Sequence, residues 1–432
     1  MRWVATEGAT HGVVTGTGRS VGRLADSPGF WTTWTAFTVS AFGSYVTSLA
    51  IGVLVVLTLD GGATEVGLVN AAKWLPYLLF GLIAGVLVDR ARRRPLLIAA
   101  DLGRGVLLLA IPLLALIDQL HIVWLVVLMA VFGLMSLIHD AAFQAFVPRL
   151  VPTGLITPAH ARLDQSDAVA QASGPALAGG LVSLVGAPLA VLVDAVSFLV
   201  SGLLLSRVHV QEPPGRSVSV RGVPGEVADG LRWVYRHATL SALALTSHAW
   251  FFCSAMAGAV VTPFALRTLG LSPFGMGLAF ALAGVGALAG SLAAVRLGMR
   301  FGAGRVVIAC NATTALAWAL IALSGGGWPG WALFGAGQLV FGLGLGTSNA
   351  NEMGYRQTVT PDRLQGRMNA TMRSINRAMI VVGAPVGGLL GDAFGYRTLL
   401  WVSAAGFLVV AVALGLSRFR GARLDDAYAN PA

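Results

Sequence analysis

The sequence predicts an all-α membrane protein of twelve transmembrane helices in two pseudo-symmetric six-helix bundles, and three observations predict it. First, 56 % of the 432 residues are hydrophobic and 11 % charged, with mean hydropathy +0.76, a balance foreign to soluble chains. Second, the apolar residues come in blocks of about 20, long enough to cross a hydrocarbon core of ~30 Å as a helix, and without the ~10-residue alternation of barrel strands. Third, a constant offset of 209 residues relates the two halves: Val131-Phe132-Gly133-Leu134 recurs as Val340-Phe341-Gly342-Leu343. The same shift pairs Gly81 with Gly290, Pro152 with Pro361, Gly174 with Gly383, Gly186 with Gly395 and Phe198 with Phe407, as a parallel duplication would.

Taken in order, the apolar blocks place spans at about 30–58, 66–88, 96–117, 122–145, 164–185, 187–207, 240–266, 273–295, 306–324, 331–355, 369–391 and 397–417. The chain then divides into a tail at 1–29, a six-helix bundle at 30–207, a linker at 208–239, a second bundle at 240–417 and a tail at 418–432. Residues 1–29 hold Arg2, Arg19 and Arg23 but no apolar core, and read as a retained tail, not a signal peptide. Twelve crossings put both termini on one side. With that side cytoplasmic, the inner segments hold 22 of the 29 cations, the outer loops hold Arg267 alone and six lie within spans; this positive-inside bias fixes the expected orientation in a bacterial plasma membrane. Net charge +10 is therefore a matter of topology and not of nucleic acid. Cys253 and Cys310 both fall in apolar blocks and are expected as reduced thiols, with no disulfide and no metal site. In the linker, Glu226 to Arg236 carries Val227, Leu231, Val234 and Tyr235 for one face of an amphipathic helix lying at the membrane surface.

After the second span the chain reads Gly85-Val-Leu-Val-Asp89-Arg90-Ala-Arg92-Arg93-Arg94. This stretch resembles the signature loop of the major facilitator superfamily, Gly-x-x-x-Asp-Arg-x-x-Arg-Arg between helices 2 and 3, and with twelve spans and the repeat the resemblance covers nearly everything from Phe30 to Ser417. It implies secondary transport by two bundles rocking about a shared cavity. Asp89 would accept hydrogen bonds from Arg90 or Arg93 and face the N-terminus of a helix in the other half, span 11 being expected, with Arg94 adding positive charge and Gly85 allowing close approach; the plainer alternative is that these Arg are inside-retention charges. Asp194-Ala-Val-Ser197-Phe198 and Pro361-Asp362-Arg363-Leu364-Gln365-Gly366-Arg367 are similar to stretches of macrolide and siderophore exporters. Gly174-Pro175 in span 5 and Gly383-Ala384-Pro385 in span 11 offer tight packing and loosened helices at a pivot. The span 5 run resembles the Gly-Pro run of drug:proton antiporters, although Ala170 and Ala178 stand where that pattern has Gly.

An ionisable side chain inside a span needs a reason, because burying it costs at least ~2.5 kcal/mol. Lys73 is near enough to the outer end of span 2 to snorkel. Asp101 and Arg104, three apart on one face, pair with each other or with the Asp89 loop, and Asp194 suits a packing role. His139-Asp140 in span 4 maps by the offset onto Asn349, near Asn351 and Glu352 in span 10. Helices 1, 4, 7 and 10 line the cavity in the resembled family, so both clusters are expected to face cargo. Counting from the 10–11 connector brings Glu352 and Arg373 to similar depth, with Arg377 one turn deeper. Two readings stay open: Asp140 and Glu352 load the coupling proton with His139, Arg373 and Arg377 as modulators, or Glu352–Arg373 is a static bridge.

By the same resemblance Trp34, Phe37 and Tyr45 in span 1, His248 and Trp250 in span 7, and Asn349 and Asn351 in span 10 would wall the cavity, and mostly aromatic walls with few fixed charges suit a bulky amphiphile. No Walker loop, nucleophile elbow or ligand cluster is present in the sequence, so no cofactor is expected and the chain is not read as an enzyme. The expectation is a monomeric exporter of an amphiphilic small molecule, an antibiotic or other secondary metabolite, in exchange for protons across the lipid bilayer. Its rivals are a lipid, lysolipid or siderophore mover of the same fold and, from another class, a non-transporting membrane receptor or assembly partner.

Overall fold

In a bilayer a chain must satisfy its backbone hydrogen bonds internally, and here it does so by helices: the computed structural model describes residues 24–210 and 223–423, and among them no strand occurs. The order is α1 Pro28–Val53, α2 Ala63–Arg90, α3 Arg93–Leu116, α4 Ile122–Phe146, α5 Ile156–Val185, α6 Ala187–Leu205, α7 Val223–Arg236, α8 Leu240–Pro263, α9 Pro273–Phe301, α10 Ala303–Leu323, α11 Gly327–Val359, α12 Asp362–Phe394 and α13 Tyr396–Leu416. Among the described residues, ten helices are long and apolar enough to cross a membrane. Two other long helices, α2 and α11, pack in the same bundles, and Asn70 and Lys73 of α2 and Asn349 and Glu352 of α11 line an internal cavity. Most of the tails and the Glu212-Pro213-Pro214 part of the linker lie outside the described residues.

The duplication seen in the sequence recurs in detail. Both α1 and α8 finish in a five-residue π-helical turn, Leu54–Thr58 and Phe264–Thr268. Gly186 and Gly395, which the 209 offset pairs, have φ of 84° and 89° and join α5 to α6 and α12 to α13; a left-handed residue that ends one helix and starts the next is cheap only for glycine.

Within the first set, α1 packs on α5 and α6, α3 on α4 and α6, and α2 on α4; within the second, α8 packs on α12 and α13, α10 on α11 and α13, and α9 on α11. Between the sets, α2 lies along α12 and α5 along α9. Glycine makes these two approaches possible. A Cβ on Gly179 would stand 2.5 Å from the Pro273 carbonyl and 3.1 Å from the Gly277 Cα, and one on Gly67 would stand 3.2 Å from the Pro385 Cα. The expected pivot residues divide accordingly: Pro175 and Pro385 are at the inter-set contacts, whereas Gly174 packs on Tyr45 and Gly383 on Phe252 and Ala255, each inside its own set.

Helix α7 begins three residues before the expected Glu226, and its apolar face docks on α8 and α12 through Val234, Ala244, Met368 and Met372. Arg367 of α12 holds it with 2.9 Å to Asp229 and 3.7 Å to Glu226. At the entry to α8, the His237 Nδ1 accepts from the N–H groups of Thr239 and Leu240 at 3.3 Å, and burial lowers the imidazole pKa, keeping it neutral for that role. The face bearing α7 is the linker face, and the opposite one the distal face.

The signature stretch is helical further than expected. α2 continues to Arg90, so Gly85, Asp89 and Arg90 stand on its last turns and only Ala91 and Arg92 separate it from α3; the side chains of Gly85, Asp89 and Arg90 lie outside the described residues. Arg93 is buried, and Arg94 donates to the carbonyls of Leu205 and Ser206, which caps the C-terminus of α6.

Candidate functional site

A cavity of about 970 Å³ lies between the two helical sets. Along α8 its lining runs from Leu243 to Gly258, sixteen residues spanning about 22 Å of helix. Phe37 and Tyr45 of α1, Trp250 and Phe251 of α8 and Phe341 of α11 supply aromatic wall, with Ser40, Ser44 and Ser48 along α1. Asn349 of α11 also lines this space.

Three residues expected there point elsewhere. Asn351, two positions and therefore some 200° around α11 from Asn349, is turned to α9 and donates to the Ala294 and Thr347 carbonyls at 3.0 Å. His248 is buried behind the wall, its Nδ1 2.6 Å from Asn376 Oδ1 and its Nε2 2.8 Å from the Tyr235 hydroxyl, so it ties α8 to α12 and α7. Trp34 packs on Trp31 near the linker-face end of α1 and donates to the Arg162 carbonyl at 3.3 Å.

The walls are more charged than the sequence suggested: Lys73, Arg104, His139, Asp140, Asp167, Glu352 and Arg377 all line the cavity. A chain of polar contacts crosses the first set. Ser201 donates to Asp101 at 2.6 Å, Asp101 pairs with Arg104, and His139 Nε2 stands 3.4 Å from the same carboxylate. His139 Nδ1 lies 3.6 Å from Asp140, and the Tyr77 hydroxyl donates to Asp140 at 2.7 Å. The Arg377 guanidinium of α12 sits over Trp74 at 3.8 Å and 5.7 Å from the Tyr77 ring. Helices α6, α3, α4, α2 and α12 are thereby joined through side chains, of which the sequence had assigned Asp101 and Arg104 to one role and His139, Asp140 and Arg377 to another. The expected Asp101–Arg104 contact is present, but it is one link in this longer chain.

Glu352 does not meet Arg373. It pairs with Arg356 on its own helix at 3.2 Å, while Arg373 is exposed and lines a second cavity of about 720 Å³ between α2, α4, α7 and α12. The turn is only Thr360-Pro361, so Glu352 lies seven residues before the end of α11 and Arg373 eleven after the start of α12, a difference in depth of about one turn. Asp140 and Arg377 line both cavities and form the partition between them. Lys73 does not snorkel; its ammonium stays in the cavity wall, 5.9 Å from both the Trp74 and Phe132 rings. Asp194 is fully buried against Gly43 and accepts from Ser197 at 2.9 Å.

Sequence reasoning passed over Tyr77, which holds Asp140, and Asp167 of α5, which faces the Tyr45 hydroxyl at 3.5 Å; an aromatic hydroxyl one turn from Lys73 and an acid three residues after Asp164 were the available signals. It also passed over the distal face, where the two sets are fastened together. The Asp392 carboxylate at the end of α12 accepts from the N–H groups of Ala63 and Thr64 at 3.0 and 2.8 Å and from the Thr64 hydroxyl at 2.6 Å. An anion from one set thus caps the N-terminus of α2 in the other. Arg267, after α8, reaches Asp60 at 2.6 Å and the Val56 carbonyl at 3.0 Å. These contacts tie the two sets together on the distal face, and the cavity lining extends towards the linker face along α8 to Leu243.

A family profile described as "Transmembrane secretion effector" matches residues 25–430. The chain is similar to the multidrug efflux pump Tap of Mycolicibacterium fortuitum, 28 % identical over 390 residues that cover 88 % of this chain and 93 % of Tap. It is also similar to macrolide efflux protein A of Streptococcus pyogenes, 23 % identical over 224 residues, 52 % of this chain and 55 % of that protein. Among solved structures, a bacterial homologue of the iron transporter ferroportin in an inward-facing state superposes with a TM-score of 0.70 at 17 % identity, over 91 % of this chain and 98 % of that one.

Proposed function

Starting from the fact that the chain belongs to the transmembrane secretion effector family of major facilitator transporters, and is therefore a multi-pass membrane transporter and not an enzyme, we propose that it exports an amphiphilic small molecule in exchange for protons. The observation that carries this reading is the cavity itself. It is large enough for a drug-sized molecule, walled by Phe37, Tyr45, Trp250, Phe251 and Phe341, fastened on one face and entered by the Asp101–His139–Asp140–Tyr77 chain.

In this mechanism the two bodies, 30–207 and 240–417, tilt against each other about the α2–α12 and α5–α9 contacts. With both termini in the cytoplasm the observed state is inward-facing, and cargo enters from the cytoplasm or the inner leaflet. Asp140 is the proton carrier we favour. Its carboxylate is held by Tyr77 and His139 in the wall that Arg377 of the other body completes, so a tilt that moves Arg377 changes the field on Asp140 and with it its proton affinity. Glu352 remains a second carrier site, biased by Arg356. Asp89 is proposed as the cytoplasmic latch and Arg373 as part of the entry vestibule. The transporter works as a monomer.

The experiment is uptake of the cationic dye Hoechst 33342, the neutral 1-pyrenebutanol and the carboxylate 1-pyrenebutyric acid into inverted membrane vesicles holding the full chain, with and without an imposed inside-acid pH gradient. Uphill uptake of at least one of them that collapses with the gradient is the expected result. Uptake of none of the three under either condition overturns the reading.

A further inference from the structure

Most ionisable groups that line the central cavity are already engaged. Arg104 is paired with Asp101, Asp140 with Tyr77 and His139, Glu352 with Arg356, and Asp167 faces the Tyr45 hydroxyl. Two are not. Among the described residues no carboxylate comes within ion-pair distance of Lys73 or Arg377, and the Arg377 Nε is buried without a hydrogen-bond partner. Both cations touch one ring: the Lys73 ammonium lies 5.9 Å, and the Arg377 guanidinium 3.8 Å, from the centroid of Trp74. The carboxylates nearest this corner are held by other donors, Asp140 by Tyr77 and Asp194 by Ser197.

Two cations kept without a carboxylate in contact in a membrane-embedded cavity, where Asp140 and Asp194 act on Lys73 and Asp140 on Arg377 only from beyond ion-pair distance, are costly, and a ligand's own charge can make the direct contact they lack. The ring between them offers a flat apolar surface directly beside the charges. A guanidinium and an ammonium at a shared indole fit a head with two or more acceptor oxygens attached to an apolar body. Resting on the reading of this cavity as the cargo site, we infer that the cargo carries an acidic group, a carboxylate or an equivalent oxyanion, seated between Lys73 and Arg377 with its apolar body along Trp74 and the aromatic wall.

The test compares three probes of one shape and different head charge, 1-pyrenebutyric acid, 1-pyrenebutanol and 1-pyrenebutylamine. Each is titrated at pH 7 onto the full chain in nanodiscs with empty nanodiscs subtracted. The expected result is that the acid binds at least tenfold tighter than the alcohol, and the amine no tighter than the alcohol. Lys73→Met and Arg377→Met each abolish the preference for the acid, whereas Lys73→Arg keeps it; an unchanged size-exclusion profile and melting midpoint show that each variant is folded. Equal affinity for acid and alcohol, preference for the amine, or an acid preference that survives both Met substitutions overturns this inference while leaving the cavity reading intact. Failure of all three probes to bind overturns both.

Discussion

The Arg377 guanidinium carbon on α12 lies 3.8 Å from the ring centroid of Trp74 on α2, so a cation of the second helical set sits over an indole of the first, in the wall of the cavity that separates them. A desolvated cation–π contact contributes about 0.5–2 kcal/mol. Because its partners belong to different bodies, that energy belongs to the observed conformation and is released when the bodies separate. Trp74→Leu keeps apolar volume and removes the ring's quadrupole. We expect it to shift the conformational population away from the observed state by about two- to thirty-fold, read from spin-label distances across the distal and linker faces; unchanged distance distributions would contradict a bridging role for this contact.

The distal fastening makes a second prediction. Asp392 accepts three hydrogen bonds from Ala63 and Thr64 across the interface between the sets, and Asp392→Ala leaves the first N–H groups of α2 without that acceptor. The carboxylate is exposed, so solvent screens much of its charge. An effect of about 1 kcal/mol, five-fold in population, is expected towards opening of the distal face. Alkylation of a cysteine introduced at Ser48, from the distal side, should speed up by that factor; Arg267→Gln should act in the same direction. Equal alkylation rates would show that these contacts do not hold the face shut.

Span positions, the duplication and the amphipathic linker helix were legible because each rests on periodicity and length, which backbone chemistry in lipid translates directly into helix. The duplication could be read down to Gly186 and Gly395, whose shared left-handed conformation only glycine adopts cheaply. Partnerships were not legible. Asn349 and Asn351 stand two residues apart and face opposite ways, and a two-residue turn instead of a longer connector moved Arg373 out of reach of Glu352. Depth along a helix can be counted from a sequence. Azimuth and the exact turn set which side chains meet, and an error of one residue is about 100° of rotation.

Coupling is expected to depend more on Asp140 than on Glu352, because Asp140 is linked through His139 and Tyr77 to four helices and shares its cavity wall with Arg377, whereas Glu352 has a partner on its own helix. In reconstituted vesicles under an imposed pH gradient, Asp140→Asn should cut uphill transport more than tenfold while downhill exchange persists. Tyr77→Phe should give an intermediate loss, since it removes one neutral donor worth roughly 1 kcal/mol. Glu352→Gln should retain at least half of the uphill rate. If Asp140→Asn still concentrates cargo, the carrier lies elsewhere.

The contact between α5 and α9 admits no side chain at its closest point. A Cβ on Gly277 would stand 3.0 Å from the Gly179 Cα and 3.1 Å from its nitrogen, backbone atoms that cannot move aside as a flexible side chain does. Gly277→Val therefore has to wedge α9 from α5, an overpacking cost of about 1–3 kcal/mol, and because the two helices belong to different bodies the strain falls on the pivot as well as on stability. The melting temperature in detergent should drop by several degrees and transport should be lost together with it. Gly366→Ala is the contrast: nothing lies within 4 Å of the added methyl on α12, and alanine favours a helix over glycine by about 0.5–1 kcal/mol, so that variant should melt at or above the parent temperature. If Gly277→Val melts like the parent and transports, the α5–α9 approach is not the pivot about which the bodies move.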